Sequence, residues 1–246
     1  IAYIGIWVIS PKRLFTGNWK DELWLVAGGI FGGSLYFFTE NTALGITQAS
    51  NVSFIICTAP LLTTILSLLF YKSEKASKGL IYGSLLALMG VGLIVFNGSF
   101  VLKISPIGDW LTLLAALSWA FYSLIIKKMA GRYPTVFITR KIFFYGVLTI
   151  LPAFLLHPLQ PDAAVLLQPG VLFNLLFLAV LASLICYVLW NVVLKQLGTV
   201  RASNYIYLNP LVTMIASSLI LDEKITLVAL GGAACIVCGV YWAEKK

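Results

Sequence analysis

A succession of long apolar segments restricts the fold of this chain more than any other feature. A helix needs roughly 20 apolar residues to cross the hydrocarbon core of a bilayer. Segments of about that length lie at about 22–44, 51–71, 79–98, 107–128, 135–156, 170–193, 203–221 and 226–243. Inside lipid, only helices and closed barrels satisfy every backbone polar group. The sequence therefore predicts an all-α, polytopic membrane helix bundle with about eight full spans.

The composition excludes a soluble domain and leaves a partial span at the start. The chain is 60% hydrophobic and 11% charged, and a soluble domain of this length could not bury so much apolar surface. Residues 1–10 are also apolar, but Pro11 ends the segment before it is long enough to cross a bilayer. We therefore expect the chain to begin inside a helix whose start is missing.

The basic residues are distributed unequally between the two sides of the predicted bundle. Cytoplasmic loops of membrane proteins carry an excess of Lys and Arg. One side has only Lys103 and Lys224, whereas the other has Lys12, Arg13, Lys20, Lys72, Lys75, Lys78, Lys127, Lys128, Arg132, Arg140, Lys141, Lys195, Arg201, Lys245 and Lys246. This predicts a multi-pass protein of the cell (inner) membrane with a cytoplasmic C-terminus. The net charge of +8 is then a consequence of topology, and we expect no nucleic-acid partner.

Part of the sequence occurs twice. Residues 40–75 return as residues 190–224, with identical residues 150 positions apart until a one-residue deletion shortens the offset to 149. Unrelated apolar segments rarely share a proline, an asparagine and a Glu-Lys pair in register, so we infer an internal duplication. The matched pairs include Asn41 and Asn191, Ser53 and Ser203, Pro60 and Pro210, Gly83 and Gly232, and Gly90 and Gly239.

The two copies are predicted to cross the membrane in opposite directions, because the spans that carry Pro60 and Pro210 are five spans apart, which is an odd number. This gives two inverted five-helix halves. The first, residues 1–102, lacks its first helix and part of its second, and the second is residues 103–246. Inverted repeats are common in secondary transporters, where the substrate site lies near the midplane between the repeats.

Pro60 and Pro210 are candidate hinge residues in the middle of their spans. A proline removes one backbone hydrogen bond and frees the carbonyl four residues earlier, here on Ile56 and Ile206. In lipid such a carbonyl needs a partner or a wet cavity. The alternative is a simple kink, since proline is common in membrane helices.

Glu40 is the only acidic residue placed clearly within a span, and we treat it as the lone intramembrane charge. A charge at this depth is costly, so the carboxyl should face a polar interior or be protonated. Asn41 follows it, and Tyr36 and Phe37 lie on the same side of the helix. The functional interpretation is a proton-coupling or substrate-amine site. The alternative is a carboxylate that reaches water at the outer interface.

Polar and aromatic residues on several other spans are candidates for substrate binding. Amide and aromatic groups inside a bundle suit a small polar or aromatic ligand, but they also serve as interhelical hydrogen bonds and interfacial aromatics. Trp119 and Tyr122 share one helix face, as do Asn204 and Tyr207. With Glu40 and Asn41, the candidate substrate-binding residues are Ser53, Trp119, Tyr122, Trp190, Asn191, Asn204, Tyr207 and Asn209.

No motif points to a metal, a cofactor or a catalytic reaction. The four cysteines lie inside apolar segments, and the pair Cys235 and Cys238 is best explained by packing of small residues. The only histidine, His157, is expected in a loop. Glycines spaced four apart, such as Gly29 and Gly33, indicate close helix contacts. Paired acids, serine-hydrolase and zinc-protease motifs and phosphate-binding loops are not found in the sequence.

Two ordered sets of residues resemble the EamA repeat of the drug/metabolite transporter superfamily. The first set is Asn41, Leu44, Ser53, Pro60, Ser73-Glu74-Lys75, Gly83 and Gly90. The second runs from Gly108-Asp109-Trp110-Leu111 and residues 115–120 to Ala202-Ser203, Asn209-Pro210, Asp222-Glu223-Lys224, Gly232 and Gly239. The resemblance covers the chain from about Leu23 onward.

This resemblance implies ten helices when the protein is complete, both termini in the cytoplasm, and a central cavity. The spans that carry Glu40, Ser53, Trp190 and Asn204 would help to line the cavity. Members typically export metabolites or amino acids, or move nucleotide-sugars and drugs. Many have an acidic residue just before the second-repeat proline, where this chain has Asn209.

We therefore expect an inner-membrane secondary transporter that exports a small metabolite or amino acid by alternating access, with proton coupling through Glu40. A passive channel or facilitator and a non-transport intramembrane enzyme are the alternatives, and we expect no enzyme. The expected partners are a small-molecule substrate and membrane lipid. Substrate identity and oligomeric state, a homodimer included, are not fixed by the sequence.

Overall fold

Helices make up nearly all of the secondary structure that the computed structural model describes, over residues 2–9, 15–71, 77–96, 105–156, 163–220 and 225–245. The predicted boundary between residues 102 and 103, and His157, lie outside these ranges. The α-helices are α1 (Ala2–Ile9), α2 (Trp19–Gly29), α3 (Leu35–Ile46), α4 (Ala49–Ile56), α5 (Ala59–Phe70), α6 (Lys78–Phe96), α7 (Pro106–Ala130), α8 (Thr135–Leu156), α9 (Ala163–Leu166), α10 (Pro169–Leu176), α11 (Cys186–Leu197), α12 (Thr199–Asn204), α13 (Asn209–Ile220) and α14 (Leu227–Glu244).

Six helical stretches of the described residues are long and apolar enough to cross a membrane. They are Ala49–Phe70, Lys78–Phe96, Pro106–Ala130, Thr135–Ala153, Pro169–Leu197 and Leu227–Glu244. The prediction of a membrane helix bundle is confirmed at this level. The two remaining predicted spans, 22–44 and 203–221, are largely helical but interrupted, and the count of eight spans stays a prediction.

The chain divides into two compact units, and each takes residues from both ends of the sequence. The first unit consists of Ile1–Leu35 and Ile125–Leu197. The second unit consists of Tyr36–Leu124 and Gly198–Lys246.

Glycines allow α2 to pack closely on α8 in the first unit. A Cβ atom on Gly29 would lie 2.8 Å from the Gly146 amide nitrogen, and one on Gly33 would lie 3.0 Å from the Gly146 Cα. Nearby, the Ser34 and Thr149 hydroxyls are 2.8 Å apart. The close helix contact that the four-residue glycine spacing predicted is therefore confirmed here.

In the second unit, α6 and α14 pack backbone to backbone and run antiparallel. A Cβ atom on Gly90 would lie 2.5 Å from the Gly232 carbonyl oxygen, and one on Gly239 would lie 2.6 Å from the Gly83 carbonyl oxygen. Later residues of α6 thus meet earlier residues of α14, which is the antiparallel arrangement. Only glycine allows backbones to approach so closely.

Two long helices contain a π-helical segment, Ile30–Ser34 and Phe177–Ile185. Adding the repeat offset of 150 to the first range gives 180–184, which lies inside the second. A π segment leaves a backbone carbonyl without its usual helical partner. In the first unit the Tyr187 hydroxyl donates a hydrogen bond of 2.7 Å to the Gly32 carbonyl.

Both proline helices are broken near the predicted hinge. Pro60 follows a turn at residues 57–58, between α4 and α5, and Pro210 follows the 3₁₀ segment Tyr205–Leu208. The Ile206 carbonyl finds the partner that it was expected to need, because the Asn209 amide donates to it. The tighter 3₁₀ turn brings the amide three residues later into reach. No contact that the structure gives tests the same expectation for Ile56.

A buried ion pair in the first unit joins an acid of α2 to a lysine of α8. The Lys141 ammonium lies within α8, fully enclosed, and donates to the Glu22 carboxylate. The Tyr145 hydroxyl also donates to this carboxylate. Thr16 donates to it from its amide nitrogen at 3.1 Å and from its hydroxyl at 2.8 Å. Among the described residues, all the hydrogen-bond donors to the Glu22 carboxylate belong to the first unit.

Asp21 extends these interactions to the loop between α7 and α8. Its carboxylate, 3% exposed, accepts from Arg132 at 2.5 Å and from the Tyr133 hydroxyl at 2.9 Å. Burial raises the pKa of the Tyr133 hydroxyl above its ordinary value, and the hydrogen bond to Asp21 adds to this effect.

Candidate functional site

Glu40 lies on α3 beside a tyrosine of the same helix face. The Tyr36 hydroxyl donates a hydrogen bond of 3.0 Å to the Glu40 carboxyl group, as expected for side chains four residues apart on a helix. Glu40 is half-buried. Among the residues that the structure describes, this tyrosine is its only polar partner. Glu40 therefore has no basic partner among the described residues.

Three aromatic rings form a continuous row next to this acid. The Tyr36 and Trp119 ring centroids are 5.1 Å apart, and the Trp119 and Tyr122 centroids are 5.2 Å apart. Trp119 and Tyr122 come from one face of α7, and the Tyr122 side chain is fully buried. Tyr36, Trp119 and Tyr122 are called the aromatic row below. Its rings can stack against an aromatic ligand or hold a cation on their faces.

The two helix breaks meet in a buried cluster of the second unit. Cys57, from the first break, and Tyr207, from the second, pack together with Ala87, Val91 and Ile236. Each break therefore contributes a side chain to one buried cluster, and Tyr207 is the predicted site residue that the cluster contains.

Polar groups at the 3₁₀ break are enclosed but only partly satisfied. The Ser84 hydroxyl donates to the Asn204 side-chain carbonyl at 3.4 Å. The Asn204 side-chain amide nitrogen and the Tyr207 hydroxyl make no hydrogen bond to any residue in the described ranges. The Ser84 hydroxyl, which donates to Asn204, also lies close to the Tyr207 hydroxyl, but the two do not meet the geometry of a hydrogen bond. Both side chains are 0% exposed, so neither donor reaches solvent.

Three predicted site residues in the second unit lie away from this cluster. Asn41 is exposed, and its side-chain amide donates to the Phe37 carbonyl of its own helix at 2.8 Å. Ser53 and Asn209 are also exposed. The structure therefore brings Glu40 together with Trp119 and Tyr122 through Tyr36, and it brings Asn204 and Tyr207 together at the 3₁₀ break. It joins the three exposed residues to neither group.

Trp190 and Asn191 belong to the first unit, on α11. The Asn191 amide donates to the Thr139 hydroxyl of α8 at 2.8 Å, and Asn191 is fully buried. This is the interhelical hydrogen bond that we named as the alternative to substrate binding. Trp190 is half-buried. Within the part of the chain that is described, no group of three or more His, Cys, Asp or Glu side chains could hold a metal ion.

Sequence reasoning missed Tyr36 as part of the aromatic row, Cys57 as part of the buried cluster and Ser84 as the partner of Asn204. Tyr36 was identified only as a neighbour of Glu40, and the other two are small residues in apolar segments. The repeat carried a signal for Cys57, because it corresponds to Tyr207 at the offset of 150. Ser84 has no such signal, since only the fold places it next to Asn204.

The profile of the EamA-like transporter family matches the chain over residues 1–96 and 106–243. An "uncharacterized transporter" of Archaeoglobus fulgidus is 28% identical over 98% of this chain and 82% of its own length. Two proteins named "probable amino-acid metabolite efflux pump" are also similar. The Salmonella typhimurium protein is 27% identical, and the Escherichia coli protein is 24% identical. Each alignment covers 95% of this chain and 81% of the relative.

A crystal structure with 18% sequence identity superposes with a TM-score of 0.81. The superposition covers 99% of this chain and 82% of that chain. At this level of identity, the likeness shows a shared fold.

Proposed function

The chain belongs to the EamA-like transporter family, and from this we propose that it is a secondary transporter that exports a small metabolite or amino acid across the inner membrane by alternating access. Family membership gives the chain a transport role in a membrane and no enzymatic one, as predicted. Two relatives are named as amino-acid metabolite efflux pumps, which supports the substrate class.

The observation that carries this proposal is the meeting of two helix breaks in the second unit. Broken helices form the substrate sites of many transporters, because unwound turns expose polar groups inside the bundle. Here the breaks at residues 57–58 and at Tyr205–Leu208 meet through Cys57 and Tyr207, in the unit that also holds Glu40 and the aromatic row. We propose that the substrate binds between these breaks and the aromatic row.

We also propose that the chain consists of two inverted halves. The repeat offset of 149 pairs Gly83 with Gly232 and Gly90 with Gly239. The close contacts join Gly83 to Gly239 and Gly90 to Gly232, so exchanging the copies turns one contact into the other. A two-fold relation between antiparallel helices has this property. The π segments at corresponding positions support the same proposal.

Helix caps at equivalent positions add local support for the repeat. The Ser77 hydroxyl accepts from the Leu80 amide at 3.0 Å. The Thr226 hydroxyl, 149 residues later, accepts from the Ala229 amide at 3.1 Å. A side-chain acceptor at the residue before a helix stabilises its first turn. Both copies therefore start their last helix in the same way.

Glu40 is proposed to couple export to protons. A carboxyl group without a basic partner inside a membrane bundle is unfavourable as an anion unless a cation or proton compensates its charge. Proton uptake on one side and release on the other would then accompany the change of access. The Tyr36 hydroxyl can donate to the carboxyl group in either form.

We predict that Glu40→Gln removes the pH dependence of export, because glutamine keeps the shape and the Tyr36 bond but carries no exchangeable acid. Initial export rates of labelled phenylalanine from proteoliposomes would be measured over a pH series. Wild type should respond to an imposed proton gradient, and the variant should not. Glu244→Gln, on the C-terminal turn of α14, is the control. An unchanged pH profile for Glu40→Gln rejects the coupling role.

The transport function itself is tested by metabolite profiling of cells in which the full-length gene is deleted or overexpressed. Overexpression should lower the internal level of one class of small metabolites and raise its external level. Counterflow experiments then separate a transporter from a channel. Flux that does not saturate with substrate, without counterflow, would favour the passive channel instead.

A further inference from the structure

Two buried hydrogen-bond donors at the 3₁₀ break are left without partners in the described part of the chain. They are the Asn204 side-chain amide nitrogen and the Tyr207 hydroxyl. Buried polar groups in native proteins are nearly always paired, and each exception calls for an explanation. We infer that Asn204 and Tyr207 form a subsite that binds a carbonyl or carboxylate oxygen of the substrate. The inference rests on the proposed transport function.

The remaining contacts of Asn204 explain why it offers a donor. Its side-chain carbonyl already accepts from the Ser84 hydroxyl, which leaves the NH₂ group for a ligand. The Tyr207 hydroxyl lies one helical turn away, three residues later. Asn204 ends α12 and Tyr207 lies in the 3₁₀ segment that follows, so two donors three residues apart can converge on a single acceptor oxygen. An oxygen with two lone pairs, as in a carbonyl or carboxylate, fits both.

The charge around the subsite restricts the ligand further. Neither donor interacts with a basic side chain among the described residues, so a lone anion would be poorly compensated in this buried place. The acceptor oxygen is therefore a neutral carbonyl, or a carboxylate whose charge the substrate itself balances with an ammonium group.

Access to the subsite requires a change of conformation. Both side chains are enclosed by protein in this structure, and they flank the break between α12 and α13. Segments with irregular backbone absorb conformational change more easily than regular helices. Opening at this break would bring the two donors to the ligand, and closure around the ligand would satisfy them.

The test compares three probes that differ only at the acceptor group. Phenylalanine carries a carboxylate, phenylalaninamide keeps a neutral carbonyl, and phenethylamine has neither. The aromatic side chain is chosen because the aromatic row belongs to the same unit as the two donors. Binding of each probe is measured on the purified chain in lipid nanodiscs, with wild type, Tyr207→Phe and Asn204→Leu. Tyr205→Phe is the matched control, because Tyr205 lies on the same turn and is exposed.

Wild type should bind phenylalanine or phenylalaninamide at least about tenfold more tightly than phenethylamine, because a ligand without the oxygen leaves the donors unpaired. The stronger of the two oxygen-bearing probes identifies the acceptor as carboxylate or carbonyl. Tyr207→Phe and Asn204→Leu should each reduce the preference over phenethylamine, and Tyr205→Phe should preserve it. Without ligand, Tyr207→Phe should unfold at the same temperature as wild type or higher, since it removes an unmade bond.

Equal binding of phenethylamine and the oxygen-bearing probes would overturn the inference, as would a preference that both variants retain. Failure of all three probes to bind would overturn it as well. The proposed transport function is judged separately by the metabolite profile. Export of a solute without a carbonyl or carboxylate would therefore leave transport standing while rejecting this subsite.

Discussion

Glu22→Gln should destabilise the protein by about 3–5 kcal/mol, because it leaves a buried ammonium group without its counter-ion. Lys141 is 0% exposed and donates to the Glu22 carboxylate. A neutral amide accepts from Lys141 but does not balance its charge. The loss should appear as a lower unfolding temperature and a smaller free energy of unfolding in lipid or detergent.

A double-mutant cycle separates the interaction free energy of Glu22 and Lys141 from the effect of each side chain alone. Glu22→Gln combined with Lys141→Met removes both charges and should recover most of the stability, because an apolar replacement of a buried ion pair is often neutral. The partly exposed pair of Arg201 and Glu244, 3.9 Å apart, is the control. Arg201→Ala there should cost less than about 1 kcal/mol. If Glu22→Gln lowered the free energy of unfolding by as little as this, the prediction that Lys141 and Glu22 form a buried ion pair would be wrong.

Gly232→Ala is expected to destabilise the contact between α6 and α14 by about 1–3 kcal/mol, as overpacking of a tight interior does. The added Cβ would lie 2.7 Å from the Gly90 carbonyl oxygen and 2.9 Å from the Leu93 Cβ. A backbone carbonyl cannot rotate away as a flexible side chain can, so the helices must separate. Gly232→Val should cost more than Gly232→Ala.

The neighbouring glycine provides the matched control. A Cβ on Gly231 would meet no atom within 4 Å, so Gly231→Ala should be neutral or stabilise the helix by up to about 1 kcal/mol. Free energies of unfolding of the two variants would be compared in the same detergent. Equal effects of the two substitutions would show that helix propensity, rather than the contact with α6, governs both positions.

The sequence predicted those structural features that depend on a single helix or a single apolar segment. Apolar length predicted the spans, and the four-residue spacing predicted that Tyr36 lies beside Glu40, where the two side chains form a hydrogen bond. Proline positions predicted the interruption of both helices, and glycine spacing predicted close packing of α2. These features depend on residues within about two turns of each other, so periodicity is sufficient to find them.

Features that join distant segments were not accessible in this way. Glu22 and Lys141 are 119 residues apart, and nothing in either local pattern identifies the other as its partner. The sequence did hold a hint, since Arg140 and Lys141 interrupt an otherwise apolar run. Asn191 is an example of a residue whose position in the repeat predicted substrate binding. In the structure its side-chain amide instead donates to the Thr139 hydroxyl of a neighbouring helix. Partner choice is a property of the fold.

The central claim is that two halves of opposite orientation form this transporter, and one labelling measurement tests it directly. Lys78 and Leu227 begin α6 and α14, are 149 positions apart and are both exposed. Each would be replaced by cysteine, one at a time, in a variant lacking the four natural cysteines. Membrane-impermeant thiol reagent should label Lys78→Cys only from the cytoplasmic side and Leu227→Cys only from the opposite side. Labelling of both cysteines from the same side would contradict the account.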